Sequence, residues 1–147
     1  VKKFKGLDYR QQIVFNKKNF LVINDSKSTS YSASIEMLKS KNQIYWLIGG
    51  IPKKGDQFKL SKKFYQNIKG YIFGKNYSKF VNDLKNKIKL KKFISLSKAL
   101  DAVFQDMKND DTPKKVILFS PSAASFDSFN NFEERGKYFN KLIKKYL

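Results

Sequence analysis

The chain has 147 residues, with 31 Lys and Arg against 12 Asp and Glu, a formal charge of +19, and neither Cys nor His. That length is enough for one domain with a sizeable core. Without Cys and His there are no disulfides, no thiolate or imidazole metal sites, no Cys nucleophile and no His-dependent triad, so acid–base work falls to Asp, Glu or Lys.

Ile13 to Phe15 and Phe20 to Ile23 are β-prone runs separated by the polar turn Asn16-Lys17-Lys18-Asn19, which predicts a β-hairpin. The second run delivers the polar loop Asn24 to Ser30. Thr29 or Ser30 is the candidate N-cap of a helix carrying Tyr31, Ile35 and Leu38 on one face. Ile44 to Ile48 is a buried-strand run that stops at Gly49-Gly50, and a second loop through Lys53, Lys54 and Gly55 follows. Leu60, Phe64 and Ile68 predict a helix from Ser61, and Gly70 to Gly74 a further strand. Phe80, Val81, Leu84 and Ile88 form a helical stripe, and the Lys-interrupted Ile88 to Ile94 reads as an edge strand. Leu96, Leu100, Val103, Phe104 and Met107 make another stripe, ended by Asn109 to Pro113. Val116 to Phe119 is apolar throughout, as expected of a strand buried on both faces of a parallel sheet. It runs into the small-residue loop Ser120 to Ser128. Asn130 and Glu133 have capping-box spacing ahead of a helix with Phe132, Gly136, Phe139, Ile143 and Tyr146 on one face.

An initial hairpin followed by alternating strands and helices predicts an α/β fold: a Rossmann-like, mainly parallel sheet with flanking helices. Three polar loops then end strands on one sheet edge, where ligands of open α/β sheets sit. Asp25, Lys27 and Thr29 from the first loop, Lys53 from the second and Ser125 from the third make a cationic, hydroxyl-rich set suited to an anion. The start of the last helix is expected to add N–H groups and a positive dipole end. Each residue also has an ordinary structural role open to it: Asp25 in an Asx turn, Thr29 as a cap, Lys53 as a solvated lysine. Neither Gly49 to Lys54 nor Gly70 to Asn76 has the Gly-Lys-Ser/Thr ending of a nucleotide-binding loop, and no Gly-x-Gly-x-x-Gly turn is present.

GLDYRQQIV (Gly6 to Val14), INDSKSTS (Ile23 to Ser30), LIGGIPKKGDQF (Leu47 to Phe58) and LFSPSAASFDSFNNFEERGKYF (Leu118 to Phe139) together resemble the C-terminal domain of the Mur ligases. Asp-Ser-Lys in place of a His-containing loop points to the branch that adds D-glutamate. The resemblance implies an enzyme in which ATP, with magnesium, phosphorylates the carboxylate of UDP-N-acetylmuramoyl-L-alanine and the D-glutamate amine attacks the acyl phosphate. It implies that Thr29, Lys53, Ser125, Phe126 and Phe132 contact D-glutamate, the last two through backbone groups. By the same resemblance Arg10, Asp25 and Lys27 face the nucleotide, Arg10 its phosphates and Asp25 its ribose. The N-terminal and central domains of such a ligase, with the P-loop and metal ligands, are expected elsewhere, with residues 1–10 leading in from the central domain. No metal is expected on this chain, and alone it is expected to be inactive. Asp8-Tyr9 stands where the family has Pro-His, and Ser28 and Ser30 replace Ala and Asn.

The charge leaves a second class open, a small basic module for nucleic acid or another polyanion. Nucleic acid is not the expected partner, because the lysines are scattered over nearly every segment and only Arg10 and Arg135 are arginines. No apolar stretch approaches the roughly 20 residues of a membrane span, and VKKFKGLDYR has no signal-peptide core. A cytoplasmic location with no membrane partner is therefore expected, and Val as first residue is read as the mark of a fragment.

Overall fold

The computed structural model describes residues 8–125 and 128–147. Strand β1 (Gln12–Lys17) turns back antiparallel into β2 (Phe20–Asn24), as the hairpin pattern predicts. Helix α1 (Tyr31–Leu38) leads to β3 (Gln43–Gly49) and the short β4 (Ile51–Pro52). Beyond a 3-10 turn at Lys62–Asn67 come β5 (Ile68–Phe73), α2 (Ser78–Leu84) and β6 (Lys89–Phe93). Helix α3 (Leu96–Lys108), β7 (Lys115–Phe119), β8 (Ala123–Ala124) and α4 (Phe132–Ile143) complete the chain, with a last 3-10 turn at Lys144–Tyr146.

The main sheet has the order β1-β2-β7-β3-β5-β6, and every pairing after the hairpin is parallel. Alternate side chains therefore leave opposite faces. Tyr45, Leu47, Ile117 and Phe119 meet α3 and α4 through Leu100, Val103 and Phe139. Ile44, Trp46, Ile48 and Leu118 meet α1 and α2 through Tyr31, Leu38, Phe80 and Leu84. The result is three layers with helices on both faces, the α/β architecture expected from the sequence. β7, buried between β2 and β3, carries its small-residue loop to the centre of one edge. Strand β6 closes the opposite side with Lys89, Lys91 and Lys92, charges that discourage pairing with another chain's edge.

Two local readings need correction. The segment from Ser61 forms only a 3-10 turn, and Ile68 begins β5 instead of ending a helix. Leu60, Phe64 and Ile68 do face one core, but the β-branched Ile68 and the following Gly-Tyr-Ile-Phe run pair in the sheet after six residues. The N-cap lies one residue further on: Asn131 accepts from the Glu134 N–H at 2.8 Å, while the Glu134 carboxylate accepts from the backbone N–H and side-chain amide of the preceding Asn130. Among the described residues no helix is long and apolar enough to cross a membrane.

Candidate functional site

Because β2, β7 and β3 are parallel neighbours, with Asn24 opposite Phe119 and Phe119 opposite Leu47, their following loops leave the sheet side by side. Polar side chains bind these loops to one another. Asn24 fixes the start of the first loop by donating to the Gly136 carbonyl and Asn140 Oδ1 and accepting from the Ser26 N–H. The Asx turn therefore belongs to Asn24. Asp25, only 4% exposed, accepts from the Gln11 N–H at 3.0 Å and the Ser120 hydroxyl at 2.9 Å, bridging the first and third loops. A buried hydroxyl cluster continues that bridge, with Ser34 bonded to Ser28, Ser120 and Ser122.

Arg135 lies under both loops. Its guanidinium is 1% exposed and donates from Nη1 to the Ala123 carbonyl, from Nη2 to the Ser26 and Ser28 carbonyls and from Nε to Ser26 Oγ. The second loop joins the third through the β4–β8 ladder, Ile51 opposite Ala124 and Pro52 opposite Ala123. Gly50 makes that approach possible: its φ is +119°, and a Cβ there would lie 2.3 Å from the Ala124 carbonyl oxygen.

The residues expected to contact an amino-acid substrate fall into distinct settings. Thr29 and Lys53 are exposed at the ends of their loops. Ser125 is buried, its carbonyl accepting from the Ser128 and Phe129 N–H groups, so its hydroxyl does not share the open surface of Thr29 and Lys53. Phe132 is half-buried at the start of α4, and its carbonyl accepts from Ser26 Oγ at 2.7 Å. Phe126 lies outside the described residues. On the nucleotide side, Arg10 is exposed and near enough to Asp25 to favour its ionised form. The Lys27 ammonium sits 5.4 Å from the Phe132 ring centroid, which joins the two expected groups. Tyr9, at a φ of 65°, packs its ring on Gly136, and its carbonyl accepts from the Lys27 N–H. The Tyr in the Asp8-Tyr9 departure is thus a packing element of the first loop.

The start of α4, expected to favour an anion, carries charges and a cap of its own. Glu133 and Glu134 occupy the first turn, offsetting the positive dipole end, and Asn131 already holds the Glu134 N–H. Sequence reasoning also passed over Arg135, Ser34 and Asp56. Arg135 had a readable signal, since it lies three residues after Phe132 and four before Phe139, on the apolar stripe, where a charge has to find buried acceptors.

Burial raises the Asp25 carboxyl from its ordinary 3.8 to about 6, opposed by bonds from Gln11 and Ser120 and by the charges of Arg10 and Arg135. A folded pKa above the unfolded one means that the native state holds this proton more tightly. Its stabilising contribution is complete below about pH 4 and is lost as pH rises through about 6. Asp25→Asn removes the ionisation. We expect its stability relative to the parent to improve by on the order of 2 kcal/mol between pH 4 and pH 7. Urea unfolding at both pH values checks this, and a difference independent of pH contradicts it.

No protein-family model matches the chain. UDP-N-acetylmuramoylalanine–D-glutamate ligase of Rickettsia prowazekii is 36% identical over 146 residues, 99% of this chain and 33% of that relative. The ligase of the same name from the Wolbachia of Brugia malayi is 35% identical, over 99% of this chain and 29% of that relative. That of Rhodospirillum rubrum is 34% identical, over 95% and 29%. A crystal structure of MurF from Acinetobacter baumannii matches in fold with a TM-score of 0.56 at 17% identity, over 80% of this chain and 28% of that one. The chain spans about a third of the length of the curated relatives it matches. Homology along nearly its whole length to relatives of one name makes this chain a member of the Mur ligase family.

Proposed function

We propose that the chain is the C-terminal domain of a cytoplasmic, ATP-dependent ligase that joins D-glutamate to UDP-N-acetylmuramoyl-L-alanine in peptidoglycan synthesis. The observation that carries this reading is the convergence of three loops on one sheet edge, with Thr29 and Lys53 exposed there, in a chain whose relatives bear the name D-glutamate ligase. N-terminal and central domains supplying the P-loop, the metal ligands and the UDP-sugar site are its proposed partners. Among the described residues no group of three carboxylates could hold a metal ion, so no step on this chain is assigned to magnesium.

On this reading the carboxylate of the UDP-sugar substrate attacks the γ-phosphorus of ATP and ADP leaves. The D-glutamate nitrogen then attacks the acyl phosphate carbon, phosphate departs and the nitrogen loses its proton. A bare carboxylate is a poor electrophile, and the gain comes from a phosphate leaving group held beside the amine. Lys53 and Thr29 would hold the amino acid's carboxylates, joined by Ser125 from the third loop, with Phe126 and Phe132 contributing chiefly through backbone groups. Arg10 and Lys27 would neutralise charge on the phosphates, and Asp25 would face the ribose.

Lys53 and its neighbour Lys54 provide the test. Each hydrogen bond to a charged group is worth about 1.5 to 3 kcal/mol, so Lys53→Ala should weaken D-glutamate binding roughly tenfold to a hundredfold or more. The two lysines occupy the first two positions of a turn in which the Asp56 N–H donates to the Lys53 carbonyl. Lys54→Ala is therefore a matched control for charge. Steady-state kinetics of the full-length ligase should give a raised KM for D-glutamate only in Lys53→Ala, with KM for ATP little changed. Equal behaviour of the two variants refutes the assignment.

A further inference from the structure

Helix α1 starts without a cap of its own. Ser30 occupies the N-cap position, but its side chain makes no capping bond and instead meets the Ser32 hydroxyl at 3.0 Å. The carboxylate that takes this part comes from 25 residues further along: Asp56 Oδ2 accepts from the Tyr31 N–H at 2.7 Å. A charge-assisted bond to an amide at a helix start is among the stronger polar contacts a loop can make.

Asp56 is itself held from two sides. Its N–H closes the Lys53–Asp56 turn onto the Lys53 carbonyl at 3.1 Å, with Gly55 at a φ of +79°. Its carbonyl accepts from Lys79 Nζ at 2.8 Å, and the same ammonium pairs with Asp83 at 2.6 Å. Asp83 also accepts from the Tyr31 hydroxyl at 2.8 Å. The tie between turn and helix therefore rests on α2 as well as on α1.

The three loops thus form a triangle. The first and third are joined by Asp25–Ser120 and Arg135, and the second and third by the β4–β8 ladder. The side between the first and second is closed by Asp56, whose bond ends two residues after Thr29 and starts three residues after Lys53. We propose that Asp56 is a positioning residue that sets the exposed Lys53 ammonium at the right distance from the Thr29 hydroxyl, and so tunes the site to the spacing of two carboxylates in one amino acid. This rests on the reading of Lys53 and Thr29 as the D-glutamate contacts. On this proposal Asp56 acts through the placement of the turn, by its bond to the Tyr31 N–H, and not as a substrate ligand.

The test compares Asp56→Ala, Asp56→Asn, Asp56→Ser and Lys53→Ala in the full-length ligase. Asp56→Ala should raise KM for D-glutamate about tenfold while KM for ATP stays within about twofold, because only the first-to-second side of the triangle opens. Asp56→Asn keeps an acceptor oxygen in place and should recover most of the affinity. Asp56→Ser, whose hydroxyl is too short to reach the Tyr31 N–H, should follow Ala, and it carries the test if Ala does not fold. Amide hydrogen exchange at Tyr31 should quicken in Ala and Ser and not in Asn. If Lys53→Ala impairs D-glutamate use but Asp56→Ala and Asp56→Ser leave it unchanged, the positioning role is wrong and the site reading stands. If Asp56→Ala or Asp56→Ser raises KM for ATP and D-glutamate alike and Asn fails to rescue, Asp56 serves folding only and the proposal is overturned. If Lys53→Ala also leaves D-glutamate use unchanged, the site reading fails and the proposal with it.

Discussion

Replacing Arg135 by Ala should lower the unfolding free energy by about 3 to 5 kcal/mol, a large share of a typical domain's total. The guanidinium is buried, and its donors serve the carbonyls of Ser26, Ser28 and Ala123 and the Ser26 hydroxyl. Truncation leaves these buried acceptors with a cavity that offers no fixed donor. Hydrogen bonds to charged groups are worth about 1.5 to 3 kcal/mol each and are not additive, so the sum is bounded by how far the loops relax. Lysine keeps the charge but not the planar fork, and Arg135→Lys should fall between parent and Ala. In urea the Ala midpoint should drop by at least about 1 M with little change in slope. A loss below about 1 kcal/mol means that the loops hold together without this residue.

Arg135 also marks the boundary of what the sequence made legible. The core strands and helix stripes follow from local periodicity: Ile44 to Ile48 and Val116 to Phe119 are too apolar to lie anywhere but the centre of the sheet, and Leu96 to Met107 repeats cleanly enough to give α3. At Ser61 to Ile68 the same apolar spacing suits a helix, or a 3-10 turn followed by a strand, and partnership with β3 decided between them. The shift of the N-cap from Asn130 to Asn131 is of the same kind, since two adjacent asparagines each have a glutamate three residues on.

The site was legible to a different depth. Parallel winding predicts that the loops share an edge, and they do. What holds them there is long-range: Asp56 caps a helix 25 residues earlier in the chain, and Ser120 meets Asp25 across 95 positions. No local pattern encodes such a pair. Ser30 looked like a cap by residue type, but a carboxylate placed by tertiary structure took the bond instead. Asp25 and Ser125, read as ligand groups, are buried and also tie the loops internally, so the residues that position the site overlap with those expected to serve it.

That overlap predicts that a single methyl group at Gly50 should harm both stability and substrate use. Gly50 has a φ of +119°, and a Cβ there would stand 2.3 Å from the Ala124 carbonyl oxygen and 3.2 Å from Arg135 Nη1. Alanine in such a conformation costs about 1 to 3 kcal/mol in backbone strain, and forcing atoms into a packed contact costs about 1 to 3 more. Relief requires strand β8 to move off β4, because the obstructing atom is backbone and cannot swing away. Gly55 is the matched control, with a positive φ of +79° but nothing within 4 Å of its added Cβ. Gly55→Ala should therefore cost only the strain, about 1 kcal/mol, and Gly50→Ala about 3 to 5 kcal/mol. Because β4 leads directly into the Lys53 turn, Gly50→Ala at a temperature where it remains folded should also raise KM for D-glutamate more than Gly55→Ala does. Unfolding curves for the two variants alone decide the structural half of the argument: equal losses would mean that the β4–β8 contact yields easily and does not fix the loops.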